Sequence, residues 1–133
     1  MTEIPRVIVN KMLTHAQRAL PKECVGLLSG ADGRIDGWKP LPNVLDDERR
    51  FFADPQALID AMRTLREESR ELMAIYHSHP TGPAMLSQAD IEQANYPDAL
   101  YLIVSLGVNG CLDMHGFRFE NGQPQEVEIA ITE

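Results

Sequence analysis

Residues 72–79 read Leu-Met-Ala-Ile-Tyr-His-Ser-His and run straight into Pro80. Side chains alternate across a strand, so Met73, Ile75, His77 and His79 are expected on one face and Leu72, Ala74, Tyr76 and Ser78 on the other. Both faces are apolar up to the histidines. Such a strand belongs in the interior of a sheet, covered on both sides. Pro80 has no N–H to give to a ladder and ends the strand. The two histidines therefore fall at the strand's exit, where its last residues reach a cleft.

The flanking segments supply candidate layers. Residues 6–9 are a short β-branched run, predicted as a first strand, with Asn10 capping a helix whose apolar face holds Met12, Leu13, Ala16, Ala19 and Leu20. Pro21 closes that helix. Residues 24–28 read as a buried strand, Gly30 with Asp32-Gly33 as a hairpin turn, and 34–41 as a strand that Pro40 and Pro42 either place at an edge or end early. Residues 49–52 form a further short strand candidate. Asp54-Pro55 opens a helix with Ala57, Leu58, Ala61, Met62 and Leu65 on its apolar face, while Arg63, Arg66, Glu67 and Arg70 read as solvated. Residues 87–95 read as a short helix and 99–106 as a buried strand. Asn109-Gly110 turns into 111–119, and Asn121-Gly122 turns into 127–131. This order of elements predicts a single α/β domain over 1–133, a mixed sheet flanked by helices.

Bulk properties exclude several function classes. A chain of 133 residues with 44% hydrophobic content can bury a core without staples. A net charge of −8 argues against a nucleic-acid partner, which selects for basic patches. No apolar run approaches the ~20 residues of a membrane span. Cys24 and Cys111 make no disulfide framework and no Cys-x-x-Cys pair. The first residues lack a basic stretch followed by an apolar core, so the expected setting is the reducing cytoplasm.

Chemistry concentrates between His77 and Asp90. Histidines at i and i+2 of a strand point the same way, and both imidazoles can reach one metal. The loop after Pro80 folds back into Ser87-x-x-Asp90, which can bring a carboxylate as a third ligand. Three N/N/O ligands leave one tetrahedral position open for water, the pattern of a catalytic zinc site, where the water's pKa falls to ~7. A bland alternative stands beside this: Ser87 and Asp90 fit the start of a capped helix, and the histidines could be hydrogen-bonded core residues. A hydrolytic site also needs a carboxylate base near the metal and an oxyanion donor. Spacing alone does not select Glu23, at the mouth of the strand at 24–28, from the other acids. Ser87 is a candidate donor.

His77-x-His79, ten intervening residues and Asp90, with Ser87 three before the aspartate, resemble the JAMM motif of the MPN+ (Mov34/MPN/PAD-1) metallopeptidases. Pro21-x-Glu23-x-x-Gly26-Leu27-Leu28-x-Gly30 is similar to the segment that carries the family's glutamate. Asn43, Phe52-Ala53-Asp54-Pro55 and the run 96–105 are similar to its connecting segments. The resemblance implies a cytidine-deaminase-like α/β fold, one Zn2+ per chain on His77, His79 and Asp90, Glu23 as general acid/base and Ser87 as oxyanion stabiliser. It implies cleavage of a peptide or isopeptide bond after the Gly-Gly tail of a ubiquitin-like protein. Leu86 and Ala74 stand where the family often has proline and glycine, which bears on loop shape. The compact length resembles the bacterial members linked to sulfur-carrier proteins. A Gly-Gly tail could then add to a sheet edge beside the metal.

The competing class is a non-catalytic MPN-type module that binds a protein tail. A zinc deaminase would need His-x-Glu and Cys-x-x-Cys, which this chain lacks. His15 reads as a half-buried helix residue, Trp38 as core or edge packing, His115 with Asp113 as an exposed strand face, and Cys24 as a small buried residue.

Overall fold

The computed structural model of the chain describes residues 2–45, 51–92, 94–106 and 113–133. Eight strands and three helices follow in the order β1 (Thr2–Pro5), α1 (Arg6–Ala19), β2 (Val25–Ala31), β3 (Arg34–Leu41), α2 (Pro55–Glu67), β4 (Glu71–His79), α3 (Gln88–Glu92), β5 (Leu100–Ser105), β6 (Asp113–Glu120), β7 (Gln123–Val127) and β8 (Ile129–Thr132) among the described residues. Six strands form one mixed sheet in the order β3-β2-β4-β5-β6-β7, and β1 pairs with β8 in a separate two-stranded sheet.

β4 lies inside the sheet, antiparallel to β2 and parallel to β5. The apolar character of both its faces is answered by two cores. Ala74 and Tyr76 pack with Ile8, Met12 and Ala16 of α1, while Ile75 packs with Ala61 of α2 and with Val25 and Leu27. Full burial of each such large apolar side chain contributes roughly 1.5–3 kcal/mol. β3 is an edge strand, one of the two outcomes its prolines allowed, and it runs on through Pro40 to Leu41. The two hairpin turns at Asp32-Gly33 and Asn121-Gly122 have positive φ at both central residues (55° and 76°, 53° and 78°), the geometry that suits right-twisted strands.

Several expectations are corrected. Residues 6–9 are the first turn of α1, not a strand, and Asn10 is not its cap; Pro5 is, with φ −60° and ψ 141°. Burial decides this: Ile8, Met12 and Ala16 recur every four residues against the core, and Val7 points outward at 60% exposure. The local β preference of a Val-Ile-Val run yields to that helical period. Met73 does not share the face of Ile75. Leu28 pairs with Ala74 and Ser29 with Leu72, so Met73 is the extra residue of a bulge and packs on the α1 side while Leu72 packs on the α2 side. Phe51 and Phe52 form no strand; an isolated bridge joins Asn43 to Ala53, and Arg49 and Arg50 lie outside the described residues. Arg70 is not a free solvated residue, since it pairs with Asp36 and donates to Ser29 Oγ at 3.3 Å. Among the described residues of the segment 87–95, the helix covers Gln88–Glu92. The run 127–131 is divided between β7 and β8, and the turn at Asn109-Gly110 lies outside the described residues.

Asp54 caps α2 as its Asp-Pro start requires, accepting the Ala57 amide at 3.0 Å. Such a cap contributes about 1 kcal/mol.

Candidate metal centre

The exit of β4 gathers four chemically capable groups. Ligand atoms of Glu23, His77, His79 and Asp90 all lie within 4.8 Å of one another. His77 and His79 come from alternate positions of β4 and share a face. Asp90 comes from α3, and Glu23 from the two residues before β2, which pairs with β4 through Val25 and His77. Glu23, His77 and Asp90 are buried at 4%, 1% and 8% exposure.

Asp90 Oδ2 lies 3.2 Å from His77 Nε2 and 3.1 Å from His79 Nε2, and the two Nε2 atoms are 3.3 Å apart. Two ligands about 2.0–2.1 Å from a tetrahedral zinc lie about 3.3 Å from each other. These three atoms are thus spaced as one face of a zinc tetrahedron. His79 Nδ1 bonds the Pro83 carbonyl at 2.8 Å. A carbonyl only accepts, so Nδ1 donates there and Nε2 is the ring atom turned toward the cluster. The donor set fits a divalent metal ion, with Glu23 beside it as a further carboxylate.

The electrostatics agree. Burial alone would raise the Asp90 carboxyl, but hydrogen bonds from His77 and His79, and from the Ser87 amide, hold it well below the usual carboxylate range. Burial lowers His77, against the pull of Asp90. Burial works the same way on His79, but the bonds to Asp90 and to the Pro83 carbonyl outweigh it and raise the pKa.

Ser87 serves the helix start. Its Oγ accepts the Asp90 amide at 3.1 Å and its own amide donates to Asp90 Oδ2 at 2.9 Å. The side chain is exposed, and the hydroxyl proton is not used by either bond. Capping and ligation therefore do not exclude each other here: the cap aims Asp90 at the histidines.

Four supporting contacts were not predicted from the sequence, although Asn43 and Ser105 fall in segments that carry the resemblance. Phe51 stacks on His77, ring centres 4.5 Å apart and 30° from parallel. Ser105 Oγ donates to the Gly82 carbonyl at 2.6 Å and ties the loop after β4 to the end of β5. Asn43 Nδ2 donates to the Glu23 carbonyl at 2.9 Å, and the Cys24 amide donates to Ser78 Oγ at 2.8 Å. All four join positions far apart in the chain, and neither spacing nor period pairs them. A cavity of about 260 Å³ opens beside His77 and Asp90, walled by Leu41, Phe51, Ile75, Tyr96 and Tyr101. Two larger cavities of about 670 and 660 Å³ contain no member of the cluster.

The other candidates stay apart from this centre. His15 and Trp38 both bond the Tyr76 hydroxyl, at 2.7 and 2.8 Å, on the opposite face of β4. His115 bridges Asp113 and Glu126 at 3.0 and 2.8 Å on an exposed strand face. Cys24 is a free, buried thiol.

A mixed sheet whose interior strand delivers two histidines to a nearby helix carboxylate defines an α/β domain of the JAMM/MPN type. Residues 5–119 match the family described as prokaryotic homologs of the JAB domain, and the chain belongs to that family. It is 42% identical over 129 residues to a probable TtuB-protein conjugate cleaving protease of Thermus thermophilus, covering 96% of this chain and 81% of the relative. It is 28% identical over 128 residues to the CysO-cysteine peptidase of Mycobacterium tuberculosis, covering 95% of this chain and 88% of the relative. The solution structure of protein DSY2949 from Desulfitobacterium hafniense superposes with a TM-score of 0.88 at 31% identity, covering all of this chain and 94% of the other. Among the described residues no helix is long and apolar enough to cross a membrane.

Proposed function

We propose that this protein is a zinc-dependent peptidase that hydrolyses the bond after the Gly-Gly tail of a ubiquitin-like or sulfur-carrier protein. The observation that carries this reading is the convergence of Glu23, His77, His79 and Asp90 within 4.8 Å. The relatives named as a conjugate cleaving protease and a CysO-cysteine peptidase support the substrate class.

One zinc ion per chain would be held by His77, His79 and Asp90. Bound there, it supplies Lewis acidity, which polarises a carbonyl and makes water a nucleophile near neutral pH. Glu23 takes the proton from the attacking water and delivers it to the leaving amine. Ser87 directs its hydroxyl proton to the substrate carbonyl oxygen as negative charge develops there. The apolar cavity beside His77 and Asp90 accommodates an extended tail next to these groups. Glycines suit such a tail, since their backbone approaches the cluster without a side chain. A free thiol at Cys24 accords with a cytoplasmic setting.

The test is incubation of the purified protein with Gly-Gly-tailed carriers bearing a C-terminal extension or a lysine-linked peptide, read by intact mass. The expected result is a product ending in Gly-Gly, abolished by a chelator and restored by zinc. Tight carrier binding without any mass change, with zinc bound, would instead identify a binding module.

A further inference from the structure

Glu23 lies outside the ladder that orders its neighbours. β2 begins at Val25, paired with His77 on one side and Leu41 on the other. The carboxylate nonetheless sits among the cluster atoms at 4% exposure. The peptide unit between Glu23 and Cys24 shows what holds it there. Its carbonyl oxygen accepts Asn43 Nδ2 at 2.9 Å, and its N–H donates to Ser78 Oγ at 2.8 Å. A trans peptide is planar and points these two groups in opposite directions, so two side chains grip one rigid plate by its two edges. The Ser78 amide adds a third bond, to the Cys24 carbonyl, at 3.1 Å.

Both gripping residues are themselves fixed. Ser78 is fully buried between His77 and His79 on β4. Asn43 Oδ1 accepts the amides of Leu45 and Phe52 at 3.1 and 2.9 Å, which settles which end of its amide faces Glu23. The Cys24 side chain enters the α1-side core. With the plate fixed and Cys24 committed to that side, the Glu23 side chain is set on the other, toward the histidines.

We propose that Asn43 and Ser78 are positioning residues that hold Glu23 in register with the metal ligands by gripping the 23–24 peptide. This rests on Glu23 being the base. Asn43 has two separable jobs, since Oδ1 shapes its own loop and Nδ2 grips Glu23. Asn43→Asp keeps the acceptor and loses the grip. Ser78→Ala loses the grip on the other edge, and Ser78→Thr retains the hydroxyl.

The experiment compares wild type, Ser78→Ala, Ser78→Thr, Asn43→Asp and Glu23→Gln, and each grip variant combined with Glu23→Gln. Amide hydrogen exchange at Cys24, metal content, kcat and KM are read for each. Expected for Ser78→Ala and Asn43→Asp are wild-type metal content, faster Cys24 exchange in the metal-free protein, KM within about twofold and kcat lowered by about 10- to 100-fold. Ser78→Thr regains most of the lost kcat. In the Glu23→Gln background neither grip variant lowers the rate further, because the group they position is gone. A general folding defect would lower it again. Wild-type kcat in folded, metal-loaded Ser78→Ala and Asn43→Asp overturns the proposal, as does loss of metal or a further loss on top of Glu23→Gln. If Glu23→Gln itself cleaves at the wild-type rate, the assignment of the base fails instead.

Discussion

Ser87 and Asp90 bind each other twice, through the Ser87 amide to Asp90 Oδ2 at 2.9 Å and through the Asp90 amide to Ser87 Oγ at 3.1 Å. The same Oδ2 lies 3.1 Å from His79 Nε2. Ser87→Ala removes one of the two bonds. It is expected to cost about 1 kcal/mol in urea unfolding. It should also weaken metal binding by about 10-fold or more, because Asp90 loses part of its orientation. Unchanged metal affinity in a destabilised variant would reduce the pair to a helix cap.

Gly26 presses its backbone against Tyr76. A Cβ built there would meet the Tyr76 ring at 2.4 Å. Tyr76 is fully buried and held by His15 and Trp38, so it cannot swing aside. Gly26→Ala is expected to lower stability by about 1–3 kcal/mol in denaturant titration. A midpoint equal to wild type would show that the ring yields freely.

The centre was readable in the sequence where its geometry is local. Alternation and Pro80 place His77 and His79 together at a strand exit, and Ser87-x-x-Asp90 is a helix start whichever role it plays. Glu23 was not readable from spacing, because it reaches the histidines only through β2–β4 pairing; the motif resemblance singled it out. The prolines of β3 left two readings, an edge strand or an early end, and the strand is an edge. Pairing also explains what was misread. The bulge that turns Met73 to the other face is set by the pairing of Leu28 with Ala74 and of Ser29 with Leu72, which leaves Met73 without a partner on β2. The first turn of α1 has strand-like residues and is helical because Ile8 and Met12 meet the core at helical spacing. Asn43 and Ser78 act on the backbone of distant residues, and such contacts leave no pattern in composition or period.

His15 sits half-buried against Tyr76, and burial lowers its pKa from the ordinary 6.5. Tyr76 accepts from Trp38, and the network assigns its proton to His15 Nδ1. The unfolded chain therefore takes up a proton at a higher pH than the folded one. Its contribution is fully present above the unfolded pKa and is lost as pH falls through the folded pKa. Wild type should lose stability between about pH 7 and about pH 5 more steeply than His15→Asn, measured by urea unfolding. Parallel curves would contradict this.

Cys24 is 2% exposed, and burial pushes its thiol up to about 11. Thiolate is the reactive form, so alkylation of native Cys24 at neutral pH should be slow and should appear on unfolding, followed by peptide mass mapping. Rapid native alkylation would mean that the start of β2, and with it Glu23, opens easily.

The central claim is that Glu23 acts on water at a metal held by His77, His79 and Asp90. Its most direct test is the cleavage rate of zinc-loaded Glu23→Gln on a Gly-Gly-tailed carrier conjugate, with metal content measured on the same sample. The account predicts wild-type zinc content and a rate reduced ~10²-fold or more. Cleavage at the wild-type rate with zinc fully bound would contradict it.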